Sequence, residues 1–156
     1  NFDTSKVTTM YNMFYICSSL ENLNISSFDT SNIISMRAVF YRCNALENID
    51  LSNFNTENVT DMANMFYNCS SLLSLDLSNF NTSKVTTFST ASFGMFGGCS
   101  KLTTLNLSNF ETKNLQFVHN FFVGFLPLVG EFLPQTPNKN RREYLKIFSS
   151  SSATVA

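Results

Sequence analysis

The stretch that decides the fold is Phe54-Asn55-Thr56-Glu57-Asn58-Val59-Thr60-Asp61-Met62-Ala63-Asn64-Met65-Phe66-Tyr67-Asn68-Cys69-Ser70-Ser71-Leu72-Leu73-Ser74-Leu75-Asp76-Leu77-Ser78-Asn79. Its apolar spacing changes halfway. Val59, Met62, Met65/Phe66 and Cys69 fall at i, i+3, i+6/i+7 and i+10, the spacing of one helix face. Thr60 is placed to cap such a helix, Asp61 to favour its positive end and Asn68 to close it. Leu75-Asp76-Leu77-Ser78 then alternates apolar and polar, which reads as a short strand. The stretch therefore predicts a strand, a turn, a short helix and a turn.

The same pattern recurs on both sides. Phe-x-Thr occurs at Phe2, Phe28, Phe54, Phe80 and Phe110, with spacings of 26, 26, 26 and 30. Each copy then carries an aliphatic (Val7, Ile33, Val59, Val85, Leu115) and, in the first four, a second Phe (Phe14, Phe40, Phe66, Phe96) and a Cys (Cys17, Cys43, Cys69, Cys99). A run L-x-x-[LI]-x-[LI] follows in those four, as in Leu46/Ile49/Leu51 and Leu72/Leu75/Leu77. The fourth copy holds four extra residues within the Phe88 to Met95 stretch. One such unit cannot bury both its apolar stripe and its strand, whereas copies stacked in register form a continuous core. The expected fold is a right-handed α/β solenoid of leucine-rich-repeat type with a parallel sheet. Residues 1–109 hold four repeats. Residues 110–133 read as a degenerate fifth repeat or cap, and 134–156 as a loop, a short helix and a disordered tail.

Segments such as Leu75-Asp76-Leu77-Ser78-Asn79-Phe80-Asn81-Thr82 and Asn64-Met65-Phe66-Tyr67-Asn68-Cys69-Ser70-Ser71-Leu72 resemble the 26-residue repeats of BspA-like leucine-rich-repeat surface proteins, found on bacteria, mycoplasma lipoproteins included. The resemblance covers residues 1 to about 114. It implies a surface-exposed, often adhesive solenoid with no enzymatic activity. The expected function is a noncatalytic cell-surface or secreted module for protein–protein or cell adhesion, part of a larger adhesin. Its partner would be a protein on a host or neighbouring cell. The alternatives are a structural spacer with no ligand of its own, and a metal-binding or hydrolytic site on the concave face.

Composition narrows the choice. The 156 residues carry 10 Lys+Arg against 11 Asp+Glu, a net charge of −1, so no basic surface for nucleic acid is expected. No phosphate loop, G-x-S-x-G or H-E-x-x-H occurs, and the single histidine, His119, sits among aromatics without a recognisable partner. No cofactor is expected. The four cysteines lie one per unit at a single phase, unlike the close pairs of zinc sites. If they sit on packed helices about 8–10 Å apart, they are too distant for disulfides. Buried free thiols are expected.

A ligand would meet the outward strand positions: Asn24, Asp50, Asp76 and Asn106, with Ser52 and Ser78 beside them. Asp50 and Asp76 could act as acid and base or bind calcium; a solvated polar face is the simpler account, because Asn24 and Asn106 hold the same position. Tyr15, Tyr41 and Tyr67 form a further row, expected to cover the core. The apolar run 121–133 is interrupted by Pro127, Gly130 and Glu131 and is shorter than the roughly 20 residues a spanning helix needs. No membrane span is expected, an anchor followed by Lys139, Arg141, Arg142 and Lys146 being the alternative. The chain starts inside a repeat without a leader pattern, so a fragment is expected.

Overall fold

The computed structural model describes residues 3–90 and 94–111. The expected fifth repeat beyond residue 111, the tail and His119 lie outside the described residues. Equivalent residues of successive units lie side by side. Thr9, Ser35, Asp61 and Thr87 form one line of parallel bridges. On another side of the units β1 (Ser74–Asp76) pairs in parallel with β2 (Thr104–Asn106), setting Leu75 against Leu105 and Asp76 against Asn106.

The expected short helices are corrected: the described residues contain no α-helix. Residues 59–69 and their equivalents run through tight turns instead. In unit 2 the N–H groups of Ala38, Phe40 and Arg42 donate to the carbonyls of Ala63, Met65 and Tyr67 in unit 3, at 2.9, 2.9 and 2.8 Å. The alternate N–H groups of Tyr41 and Cys43 close turns onto Ala38 and Phe40 within their own unit, at 3.2 and 3.1 Å. Past its first turn, a helix directs each N–H back onto its own unit and leaves none there for the neighbour. Packed helices also need about 8–10 Å between axes, whereas backbones joined by direct hydrogen bonds lie about 4.8 Å apart. Three-residue turns repeat their apolar positions almost as a helix does, so the spacing alone misleads.

This path takes left-handed backbone at two places in each of the first three units and at one described place in the fourth. Asn12, Ile16, Ala38, Arg42, Asn64 and Asn68 have φ of 53–59°, and Gly98 continues the second row at 77°. Asparagine and glycine adopt this region readily; Ile16 and Arg42 do so at a steric cost, held there by the bonds on either side. A Cβ on Gly98 would stand 2.7 Å from Asn68 Oδ1, a second reason for glycine there.

The repeated residues form the interior. Phe14, Phe40, Phe66 and Phe96 stack ring on ring with centroids 5.7, 5.4 and 5.8 Å apart. Phe54 lies 6.5 Å from Phe80, and Phe88 5.3 Å from Phe110. Cys43, Cys69 and Cys99, with Leu46, Leu72 and Leu102, are fully buried beside them. Offset stacking of this kind adds about 0.5–1.5 kcal/mol per pair beyond burial.

Buried hydroxyls close the units together where the chain turns after each Phe. Thr30 Oγ1 donates to the carbonyl of Asn55 at 3.0 Å and accepts from the N–H of Asn55 at 2.8 Å. Thr4 serves Asp29 and Thr82 serves Glu111 in the same two ways. Thr30, Thr56 and Thr82 are nearly inaccessible to solvent. Replacing Thr30 with Val keeps the shape but strands a backbone donor and acceptor. Thr30→Val is expected to destabilise the chain by roughly 2–4 kcal/mol, and Thr30→Ser by much less, as read from denaturant unfolding.

Candidate functional site

The row singled out by the sequence is built from turns. Each strand segment ends where the chain must turn toward the next Phe. Asn24, Asp50, Asp76 and Asn106 each accept, through Oδ1, the backbone N–H two residues on: Ser26, Ser52, Ser78 and Ser108, at 3.1, 2.9, 2.8 and 3.1 Å. This Asx turn is why a short polar side chain recurs there. The N–H and hydroxyl of Ser52 hold the carboxyl of Asp50 below its usual range. The hydroxyl and N–H of Ser78 do the same for Asp76, helped by the amide of Asn106. Both carboxylates are solvent-exposed and ionised at neutral pH.

Three members of the row share one surface feature. Asn24, Asp50 and Asp76 form one side of an open depression of about 690 Å³, with Asn22, Asn48 and Ser74 on the other. Leu23 and Ile49, half-buried against the core, supply its apolar part. Asn106 lies beside Asp76 in strand register but outside the depression. Ser52 and Ser78 act as hydrogen-bond donors to the row and do not line it. The depression has a structural origin. The ladder that closes units 3 and 4 at β1 and β2 does not extend to residues 48–50 and 22–24. There unit 3 is held to unit 2 by the N–H of Leu73 on Glu47, at 2.9 Å. Leu75 and Leu105 are buried; Leu23 and Ile49 are left half-covered.

Two rows of residues with structural work escaped the sequence reading. The first is the buried threonine row. The second is Asn53, Asn79 and Asn109. Asn53 Nδ2 lies 3.1 Å from the carbonyl of Ile25 and 3.0 Å from that of Phe28; Asn79 repeats this on Leu51 and Phe54 at 3.0 and 3.1 Å, and Asn109 donates to Ser78. Both rows were visible as residue types that recur at the repeat period.

The cysteines are free, as three buried thiols and one exposed. The expected separation of about 8–10 Å does not hold, since the units are spaced like strands and not like helices. The thiols instead point along one direction and each is occupied: Cys43 donates to Phe14, Cys69 to Phe40 and Cys99 to Phe66, at 3.2, 3.0 and 3.1 Å. Burial pushes the Cys43 thiol up to about 11, Cys99 up to about 12 and Cys69 well above the ordinary range. Among the described residues no group of three or more His, Cys, Asp or Glu is arranged to hold a metal. Tyr15, Tyr41 and Tyr67 stack at 4.8 and 5.0 Å, with the Arg42 guanidinium 5.6 Å over the Tyr41 ring. Tyr41 is buried, Tyr67 is half-buried and Tyr15 is exposed, so the row covers the interior at Tyr41 and opens to solvent at Tyr15. No helix among the described residues is long and apolar enough to cross a membrane.

These thiols supply a direct measurement. In the native chain at pH 8, a thiol reagent is expected to titrate Cys17 rapidly and Cys43, Cys69 and Cys99 only after unfolding. Folded thiols that ionise later than unfolded ones also set the sign of a pH effect. Stability should hold below the ordinary thiol pKa of about 8.5 and fall as pH rises above it.

No curated protein and no solved structure is significantly similar to the chain. A family model does match it twice, over residues 1–93 and 74–129. The overlap of the two matches falls on units 3 and 4, as a repeating chain allows. The chain belongs to the family described as Mycoplasma protein of unknown function, DUF285.

Proposed function

We propose that the chain forms a BspA-like, leucine-rich-repeat-type solenoid, with tight turns in place of short helices. Its role is that of a noncatalytic binding module at the cell surface or in the medium, recognising a protein partner through its strand-side face. The observation that carries the reading is the depression bounded by Asn24, Asp50 and Asp76, where polar groups and apolar surface are offered together. Several other groups able to do chemistry help to hold the fold: three thiols are buried donors, and Asp3 and Asp29 cap turns. The surface location is what the repeat resemblance implies.

A structural spacer is the second reading, favoured by the Thr and Asn rows, whose hydrogen bonds serve only to join units. Removing residues 54–79 deletes one whole unit and joins Asn53 to Phe80 in register. Binding of the immobilised chain to host matrix proteins and to whole cells would be compared with and without that unit. The expected result is saturable binding by the full chain that is largely lost on deletion, with the circular dichroism spectrum retained. Binding by neither form would remove the adhesive reading, and binding that ignores the deletion would place the contact elsewhere.

A further inference from the structure

The carboxylates of Asp50 and Asp76 exceed what the fold needs. Asn24 and Asn106 make the same turn with a neutral amide, at 3.1 Å in both cases. The turn therefore asks only for an Oδ1 acceptor; beyond it, the negative charge is used by Ser52 and Ser78 within the turns and by the Asn106 amide beside Asp76. Both charges border the same depression. Exposed Glu21 and Glu47 precede its lining residues Asn22 and Asn48 in the chain, and the strand segments 21–24, 47–50 and 73–76 contain no Lys or Arg. Arg37, an arginine of unit 2, is directed elsewhere, to Asp61 at 3.5 Å.

We propose that this depression docks an extended polypeptide segment of a partner protein through its arginine or lysine side chains. The proposal rests on the binding reading above and names the class of partner. The parts of the depression match the parts of such a side chain. Leu23 and Ile49 offer apolar surface to the aliphatic stem. Asp50 and Asp76 receive the charged head, and a guanidinium can bridge two neighbouring carboxylates. The amides of Asn22 and Asn48 face the N–H and C=O groups of an extended backbone, which must keep hydrogen-bond partners when it leaves water. Asp50 and Asp76 each already hold a backbone N–H, and no third metal-ligating side chain joins them among the described residues, which disfavours a cation alone.

The test uses the full 156-residue chain and a fluorescein-labelled nonapeptide with arginine at alternate positions, so that an extended backbone shows the arginines on one face. The control peptide replaces each arginine with glutamine. Fluorescence anisotropy is expected to show binding of the arginine peptide, weakening as salt is raised, with the glutamine peptide much weaker. Asp50→Asn with Asp76→Asn should weaken it roughly 5- to 10-fold. The melting temperature should stay unchanged, since Asn already serves at 24 and 106. Equal binding of both peptides, or indifference to the double substitution, overturns the proposal. So does a rise in melting temperature with calcium that the double substitution abolishes. A partner found in the cell and matrix screen that ignores both substitutions would leave the binding reading standing and remove this inference. Absence of binding in the screen and in the titration removes both.

Discussion

The constraint behind every other feature is the hydrogen bond from a backbone N–H in one unit to a carbonyl in the next. It operates at the bridge line through Thr9, Ser35, Asp61 and Thr87, at the paired strands, and along the turn segment from Ala38 to Arg42. Bonds of this kind fix the separation of neighbouring units at the strand spacing wherever they form. Side chains at one phase then have no freedom to interleave; they must lie against copies of themselves. Flat rings stack, methyl and leucyl groups nest, and a thiol finds the carbonyl of the unit before it. A residue that cannot tolerate its own kind at close quarters has no place in these rows.

The same spacing explains the abundance of Thr and Asn. Turns between segments leave carbonyls and N–H groups that no ladder reaches. Threonine supplies a hydroxyl that donates and accepts at once, and asparagine an amide long enough to touch the neighbour's carbonyls. Each is a buried or edge group with its partners supplied, so it strengthens the join between units and costs little desolvation. The few charges follow from this economy of contact. A like charge at every unit would repel its copies at short range, and Asp3, Asp29, Asp50 and Asp76 share their rows with neutral residues such as Asn24, Asn55, Asn81 and Asn106.

Much of the arrangement was legible in the residues. The Phe, Cys and Leu phases name the buried rows, because a repeat that stacks in register turns sequence period into contact. The short helix was not legible. Met62, Met65, Phe66 and Cys69 keep one apolar face whether the backbone bonds to its own preceding turn or alternately to the next unit, and only the inter-unit distance separates the two. The left-handed residues pointed the other way, with Asn at 12, 64 and 68 and Gly at 98, but Ile16 and Arg42 hid the rule. At the candidate site the row of Asn24, Asp50 and Asp76 was visible, and its duty in the turns was not. The depression itself depends on how far a ladder is zipped, which no single residue announces.

The insertion in unit 4 shows where this architecture accepts novelty. Asn64 bonds to Phe88 before the added residues and Phe66 bonds to Met95 after them, while Ser89 and Gly94 form an antiparallel bridge across the base. The rows of Phe and Cys keep step past the insertion, with Phe96 stacked on Phe66 and the Cys99 thiol donating to the Phe66 carbonyl. Such a corner is a port: segments of differing length can be carried there without disturbing what lies below, and related proteins can acquire new outlines while sharing one interior.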